Sequence, residues 1–307
     1  MITVLAGGTG SVKLVRALAA LEEDIAVICN VGDNIWIYGL YICPDIDTII
    51  YGLANLLDTK RGWGMKGDSF QCLAQLRKMG LPTWFRLGDR DLSTHLVRTS
   101  MIKSGKSLSE ITDFFRKQYS INIKLIPVTD TEITTRIVTD RIGDIHLQEF
   151  WVKYKGRPKV TNVRYDGADN ATANPAAINA ISKSQAVVIA PANPISSIGP
   201  ILALANLRKE LALNRYKVIA ISPLIGGKAV SGPAVKYMRA LGLKNSSLGV
   251  AIYYRDFVSR FLISKQDHRL APKIQALGMQ VNETNTLMKA KRDEVRLGRL
   301  LLKLIEK

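Results

Sequence analysis

The chain has 307 residues, 47% of them hydrophobic, with a formal net charge of +17 from 43 Lys and Arg against 26 Asp and Glu. That is enough for a large core, while the lack of any run of eighteen apolar residues argues against a membrane span. The charge favours anionic partners, but it is spread along the chain without a zinc-finger or RNA-recognition signature, so nucleic acid is not expected and a phosphorylated small molecule or a plain solvated basic surface explains it equally well.

Ile2 to Leu5 is a short apolar run, followed at once by Ala6-Gly7-Gly8-Thr9-Gly10. From Lys13 the pattern turns helical, with Leu14, Ala17, Leu18 and Leu21 on one face. The unit reads as buried strand, glycine turn and helix. Such a turn lets backbone N–H groups close on a phosphate at the positive end of a helix, with Thr9 and Lys13 as extra donors. It is not a Walker A loop, and Lys13 stands where a dinucleotide fingerprint has its third glycine. A ligand-free turn is the plainer reading. No basic leader precedes the strand, so no signal peptide is expected. Cys29, Cys43 and Cys72 lack metal spacing and fit a reducing cytoplasm.

Ile25 to Cys29 is a second buried strand, ending in the polar loop Asn30-Val31-Gly32-Asp33-Asn34. In open α/β sheets that edge is where ligands bind. Ile35 to Cys43 takes no assignment. Cys43-Pro44-Asp45-Ile46-Asp47-Thr48 then leads into a helix from Ile49 to about residue 57. Asp45 and Asp47 either cap that helix or hold a hard cation such as Mg²⁺. Lys60-Arg61-Gly62-Trp63-Gly64 is a basic turn with an aromatic. Ser69 to Met79, Ser93 to Ser104 and Ser107 to Tyr119 read as helices, the second carrying His95, which is more readily a satisfied structural histidine than a catalytic base.

Between residues 123 and 165 the period shifts towards two. Ile123 to Ile126, Thr134 to Thr139, Ile145 to Trp151 and Lys159 to Val163 are expected as strands of an antiparallel insertion. The βα rhythm resumes at Ala186 to Ala190 and Tyr216 to Ile221, each running into a loop rich in Pro, Ser and Gly. Gly249 to Tyr253 and Phe261 to Ser264 are expected as short strands, and Thr286 to Ile305 as a C-terminal amphipathic helix for the sheet or a partner subunit. The expected fold is therefore α/β and Rossmann-like, a mostly parallel sheet with helices on both faces. It forms one elaborated domain, with a core of approximately residues 1–60 and 180–307 and a cap-like helical and antiparallel insertion at 61–179.

Six motifs occur in order over nearly the whole chain: Gly7-Gly8-Thr9-Gly10 with Lys13-Leu14; Asn30-Val31-Gly32-Asp33; Cys43 to Thr48; Leu87-Gly88-Asp89-Arg90-Asp91 with Thr94-His95; Asn193-Pro194 with Ser197-Ile198-Gly199-Pro200; and Ser222-Pro223 with Ile225-Gly226 and Ser231-Gly232-Pro233. As a set they resemble the 2-phospho-L-lactate transferase family of deazaflavin coenzyme F-420 biosynthesis. The resemblance implies a Mg²⁺-dependent, homodimeric enzyme. It would move a phospholactyl group from a guanosine diphosphate conjugate to the ribityl hydroxyl of a deazaflavin, releasing GMP; bacterial relatives use an enolpyruvyl donor.

The resemblance also implies roles. Gly7, Gly8, Thr9, Gly10 and Lys13 would hold the diphosphate, and Asn193, Ser197 and Gly199 the nucleotide side. Asp47 and Arg86 would contact the deazaflavin, Arg86 standing where relatives carry lysine. Asp45 and Asp47 would hold the metal or receive the hydroxyl proton, with Asp33 as a further metal ligand. A related bacterial family with the same glycine turn, which binds a nucleotide sugar and regulates cell-wall metabolism, is the alternative. The Cys43–Thr48 motif followed by the charged Arg86–Asp91 segment separates the two.

Overall fold

The structure, a computed structural model, describes residues 1–22 and 24–306. Ile2–Ala6 is a strand buried at every position, as a short β-branched run inside a parallel sheet should be. It pairs in parallel with Ile25–Cys29 on one side and Ala186–Ile189 on the other. The complete sheet has seven strands in the spatial order Gln280–Thr284, Arg260–Ser264, Val218–Ile221, Ala186–Ile189, Ile2–Ala6, Ile25–Cys29, Lys124–Pro127. All neighbours are parallel, and helices surround the sheet. From Ile2–Ala6 the chain first winds one way and later, from Ala186, the other. The reversal opens a crevice at the C-terminal ends of these two strands, the place where such sheets bind ligands.

The first helix, Gly8–Leu21, begins inside the glycine turn itself, because Ser11 closes the turn early: its Oγ accepts from Gly7 N at 3.0 Å and donates to Gly7 O at 2.8 Å. The last helix, Lys291–Ile305, packs along it. Leu14, Leu18, Leu297 and Leu301 are buried between them, each contributing about 1.5–3 kcal/mol. Arg16 and Glu294 join the pair through a forked ion pair, with Nη2 to Oε1 at 2.6 Å and Nε to Oε2 at 3.0 Å.

Several expected elements are corrected. Ile123 to Ile126 does not belong to the antiparallel insertion: Lys124–Pro127 is the edge strand of the parallel sheet, in register with Ile25–Cys29. Helix Leu108–Gln118 packs on that strand and supplies the crossover that a parallel return needs. Gly249 to Tyr253 is helix, not strand. Ser246 caps helix Ser247–Tyr254 by accepting from Gly249 N at 3.2 Å, and a five-residue apolar run carries no period that separates the two states. Ile145 to Trp151 is strand only to His146, then a π-turn at Glu149–Lys153. Ile35 to Cys43 is a hairpin of Ile35–Ile37 and Leu40–Ile42. The genuine antiparallel sheet has three strands in the order Gly143–His146, Thr134–Thr139, Val160–Asp166. Among the described residues no helix is long and apolar enough to cross a membrane.

Candidate active site

Four separated motifs meet at Gly7. A Cβ placed on this residue would lie 2.7 Å from Asp45 Oδ2, 2.9 Å from Ser197 O and 3.0 Å from Asn30 Cβ. The glycine turn, the loop after Ile25–Cys29, the first turn of helix Pro44–Leu53 and the loop after Ala186–Ile189 are therefore packed against one another at a point where no side chain fits. Gly8 takes φ +68°, a left-handed conformation natural to glycine. The junction floors a cavity of about 420 Å³.

Ten of the residues singled out from the sequence line this cavity: Gly7, Gly8, Thr9, Gly10, Asp33, Asp45, Asp47, Arg86, Asn193 and Ser197. Two do not. Lys13 donates from Nζ to Met288 O at 2.7 Å, because a residue one turn into the helix projects towards the C-terminal helix and not the turn. Gly199 is buried behind the loop, where a Cβ would overlap Tyr165 Oη at 2.0 Å. It leaves room for the Tyr165 hydroxyl, which donates to Ile195 O at 2.7 Å. Both contacts are structural.

Asn30 organises the carboxylates. Its Nδ2 donates to Asp45 Oδ2 at 2.8 Å and Asp33 Oδ1 at 3.0 Å, while its Oδ1 accepts from Gly32 N at 2.9 Å. Asp33 and Asp45 are both buried, and burial pushes the Asp45 carboxyl up to about 6, against hydrogen bonds from Asn30 and the backbone of Gly8. Burial, then the charge of Asp45, raise Asp33 as well, against the Asn30 hydrogen bond. One amide between two acids leaves surplus negative charge facing the cavity.

Asp47 has a different environment from the one expected beside Asp45. It pairs with Arg98 of helix Asp89–Lys103, whose Nη1 reaches Asp47 Oδ2 at 3.0 Å and whose Nη2 bonds Oδ1. Arg98 Nη1 also lies 3.1 Å from His95 Nδ1. The tautomer in which Nδ1 accepts this bond places Nε2–H towards Asp91 Oδ1, 3.2 Å away. Tyr51 donates to the same Asp91 oxygen at 2.7 Å. Burial works to raise the Asp91 carboxyl, yet the nearby His95 ring, the Tyr51 hydroxyl and the charge of Arg98 hold it below the usual carboxylate range. His95 is engaged at Nδ1, while Nε2 is buried facing Asp91 without a hydrogen-bond partner among the described residues. The Arg98 guanidinium meets the charge of the Asp47 carboxylate directly.

At the mouth, Arg86 lies over the Phe70 ring at 4.5 Å and the Trp63 ring at 5.9 Å. Arg61 lies over the same two rings at 5.2 and 5.1 Å. Two guanidinium groups set against two aromatic rings, themselves edge to face at 67°, make a cationic, aromatic wall. Trp151, half exposed on the π-turn, lines the cavity too, in keeping with the placement of π-turns at functional sites. Sequence reasoning assigned no role to Asn30, Arg98 or Trp151. The charged residue at 98, one turn after His95 on an otherwise amphipathic helix, was the available signal for Arg98. Asn193 shapes its own loop, its Oδ1 accepting from Ile195 N at 3.0 Å and Ser196 N at 3.2 Å.

A switch-point crevice with a glycine turn, an acid pair and a cationic aromatic wall in one cavity defines a Rossmann-like α/β enzyme. Comparison with known proteins says of which kind. The family model described as 2-phospho-L-lactate transferase CofD matches residues 2–299. A Methanopyrus kandleri protein named 2-phospho-L-lactate transferase is 40% identical, over 99% of this chain and 97% of its own. One of that name from Methanocaldococcus jannaschii is also 40% identical, over 98% and 97%. The chain belongs to the 2-phospho-L-lactate transferase family and is a transferase. A Bacillus halodurans protein of the upf0052 family, solved by crystallography, superposes with a TM-score of 0.66 over 98% of both chains at 14% identity, a likeness of fold.

Proposed function

We propose that the enzyme moves the 2-phospholactyl group from lactyl-2-diphospho-5'-guanosine to the ribityl hydroxyl of 7,8-didemethyl-8-hydroxy-5-deazariboflavin, releasing GMP, in coenzyme F-420 biosynthesis. The observation that carries this reading is the convergence at Gly7, which brings a phosphate-binding turn and an acid pair into the cavity that Arg86 and its aromatic neighbours wall. The hydroxyl oxygen bonds to the phosphorus that bears lactate, the bond from that phosphorus to the GMP oxygen breaks, and the hydroxyl proton passes to Asp47. Catalysis of such a step is mostly alignment and neutralised charge.

The chain's own residues divide that work. The N-terminus of helix Gly8–Leu21 would face the diphosphate with the positive end of its dipole. Asn193 and Ser197 line the guanosine side. Arg98 fixes Asp47 in one rotamer at the cavity floor, and Arg86 with Trp63 and Phe70 offers a stacking surface to a planar ring system. A divalent cation fits the donor set at Asp33 and Asp45. Among the described residues no three His, Cys, Asp or Glu side chains group to hold a metal by themselves, and Mg²⁺ commonly takes one or two carboxylates and completes its shell with water and substrate phosphate. When bound there it would supply charge neutralisation at the diphosphate. We infer a homodimer from the family resemblance and a cytoplasmic setting from the unpaired cysteines Cys29, Cys43 and Cys72.

The test is turnover with Mg²⁺ and the free deazaflavin, supplying the lactyl and enolpyruvyl guanosine diphosphates separately and reading GMP and coupled product by mass. Faster product formation from the lactyl donor is expected. Faster turnover of the enolpyruvyl donor would reassign the substrate, and no product from either would overturn the reading.

A further inference from the structure

One buried hydroxyl in the cavity has nothing to bond. Tyr237, on helix Ala234–Ala240, is 0% exposed. Its ring is held against Phe150 of the π-turn, centroids 5.7 Å apart. Its Oη has no hydrogen-bond partner among the described residues, yet the residue lines the same cavity as Asp33, Asp45, Gln148 and Ser231. Burial first, and then the charge of Asp33, push the phenol well above its ordinary range, so it stays protonated and keeps a hydrogen to donate. Buried hydroxyls are nearly always paired, because stranding one forfeits its hydration without return. A stranded donor beside the reacting end of a cavity is expected to find its acceptor on the ligand.

We propose that Tyr237 Oη is a substrate-binding donor that recognises an oxyanion of the phospholactyl group, either a phosphoryl oxygen or the lactate carboxylate. The assignment rests on the transferase reading and deepens it. The residue lines the cavity together with the Asp33–Asp45 pair, where the group being transferred would be held. Its helix is tied to the insertion by Lys236, whose Nζ donates to the carbonyls of Gly156 and Arg157, the latter at 3.2 Å. The π-turn and this helix therefore present Phe150 and Tyr237 as one unit.

The test is Tyr237→Phe, which removes one oxygen and keeps the ring. Calorimetric titration with Mg²⁺ present compares wild type and variant for lactyl-2-diphospho-5'-guanosine, for GDP, and for guanosine diphosphate ethyl ester, which lacks the carboxylate. Expected is about tenfold weaker binding of the lactyl conjugate, the loss of one good hydrogen bond; GDP, which keeps the terminal phosphate but not the lactate, is weakened alike if the bond is to a phosphoryl oxygen and unaffected if it is to the carboxylate. The melting temperature of the unliganded variant should equal or exceed that of wild type, since an unpaired buried group has been removed. A defect that disappears with the ethyl ester assigns the bond to the carboxylate, and one that persists assigns it to the phosphoryl oxygens. Equal affinity of both proteins for the lactyl conjugate, with or without a lowered melting temperature, overturns the assignment while wild-type turnover leaves the transferase reading standing. A wild type that neither binds nor turns over the conjugate overturns both.

Discussion

Arg98 and Asp47 form an ion pair across 51 positions of sequence, with the two residues 1% and 4% exposed. Helix Asp89–Lys103 contributes the cation and helix Pro44–Leu53 the acid. Removing one partner leaves the other charged, buried and alone. Arg98→Met should therefore destabilise the protein by about 3–5 kcal/mol, read as a lowered midpoint in urea. Arg98→Lys, which keeps the charge without the planar fork, should fall between. Unfolding at the wild-type midpoint in both variants would show that the pair does not hold the floor of the cavity.

The Asp33–Asp45 pair makes stability depend on pH in a direction opposite to that of ordinary salt-bridged acids. The folded-state carboxyl of Asp45 is raised to about 6 from 3.8, so between those values the native state holds a proton that the unfolded chain has released. Its contribution to stability is full below the lower value and lost as pH rises through about 6. A divalent cation held at the proposed Asp33–Asp45 site would bind the deprotonated pair and offset that loss. The rise in melting temperature on adding Mg²⁺ should be small at pH 5 and grow to a plateau above about pH 7. A Mg²⁺ increment that is the same at every pH would sink the placement of the cation at these two acids.

Gly7→Ala introduces a methyl group that would press on Asp45 Oδ2 and Ser197 O. Neither contact is the tip of a long flexible side chain, so the loops must separate. The expected cost is about 1–3 kcal/mol of stability, with a larger proportional loss of affinity for GDP because the turn itself moves. Thermal unfolding and calorimetric titration of the variant check the two effects separately. Wild-type GDP affinity would mean that the turn does not meet the diphosphate.

Arg86 is exposed and stacks on Phe70 and Trp63, so removing it should leave the fold alone. Arg86→Ala should raise KM for the deazaflavin by roughly tenfold, consistent with a cation–π contact of about 1 kcal/mol plus lost stacking area, and leave the affinity for GDP unchanged. Equal effects on both ligands would place Arg86 at the diphosphate instead of the acceptor wall.

Much of the framework was legible along the chain. Ile2–Ala6, Ile25–Cys29, Ala186–Ile189 and Val218–Ile221 are short buried apolar runs ended by turn residues, and each loop that follows them lies at the same edge of the sheet. Strands buried on both faces have a composition that reads from sequence, and the ordered motifs pointed to the family. Ile123 to Ile126 and Gly249 to Tyr253 did not read correctly. A run of four or five apolar residues does not encode its partner, and in the second case the Ser246 cap outweighed β-branched content.

Sequence by itself determined the parallel α/β class and the loops at the ends of the first strands, because local composition and turn chemistry act over a few residues, and the family resemblance added Arg86, Asn193 and Ser197 to the residues that line the cavity. Tertiary structure decided how the acids are partnered. Asp45 and Asp47 stand two positions apart on one helix, yet one shares an amide with Asp33 and the other meets Arg98. The direction of a side chain around a helix and the charge of whatever packs opposite it are set by long-range packing. The same packing holds Lys13 on Met288 O, and leaves Tyr237 as a buried donor without a protein acceptor among the described residues.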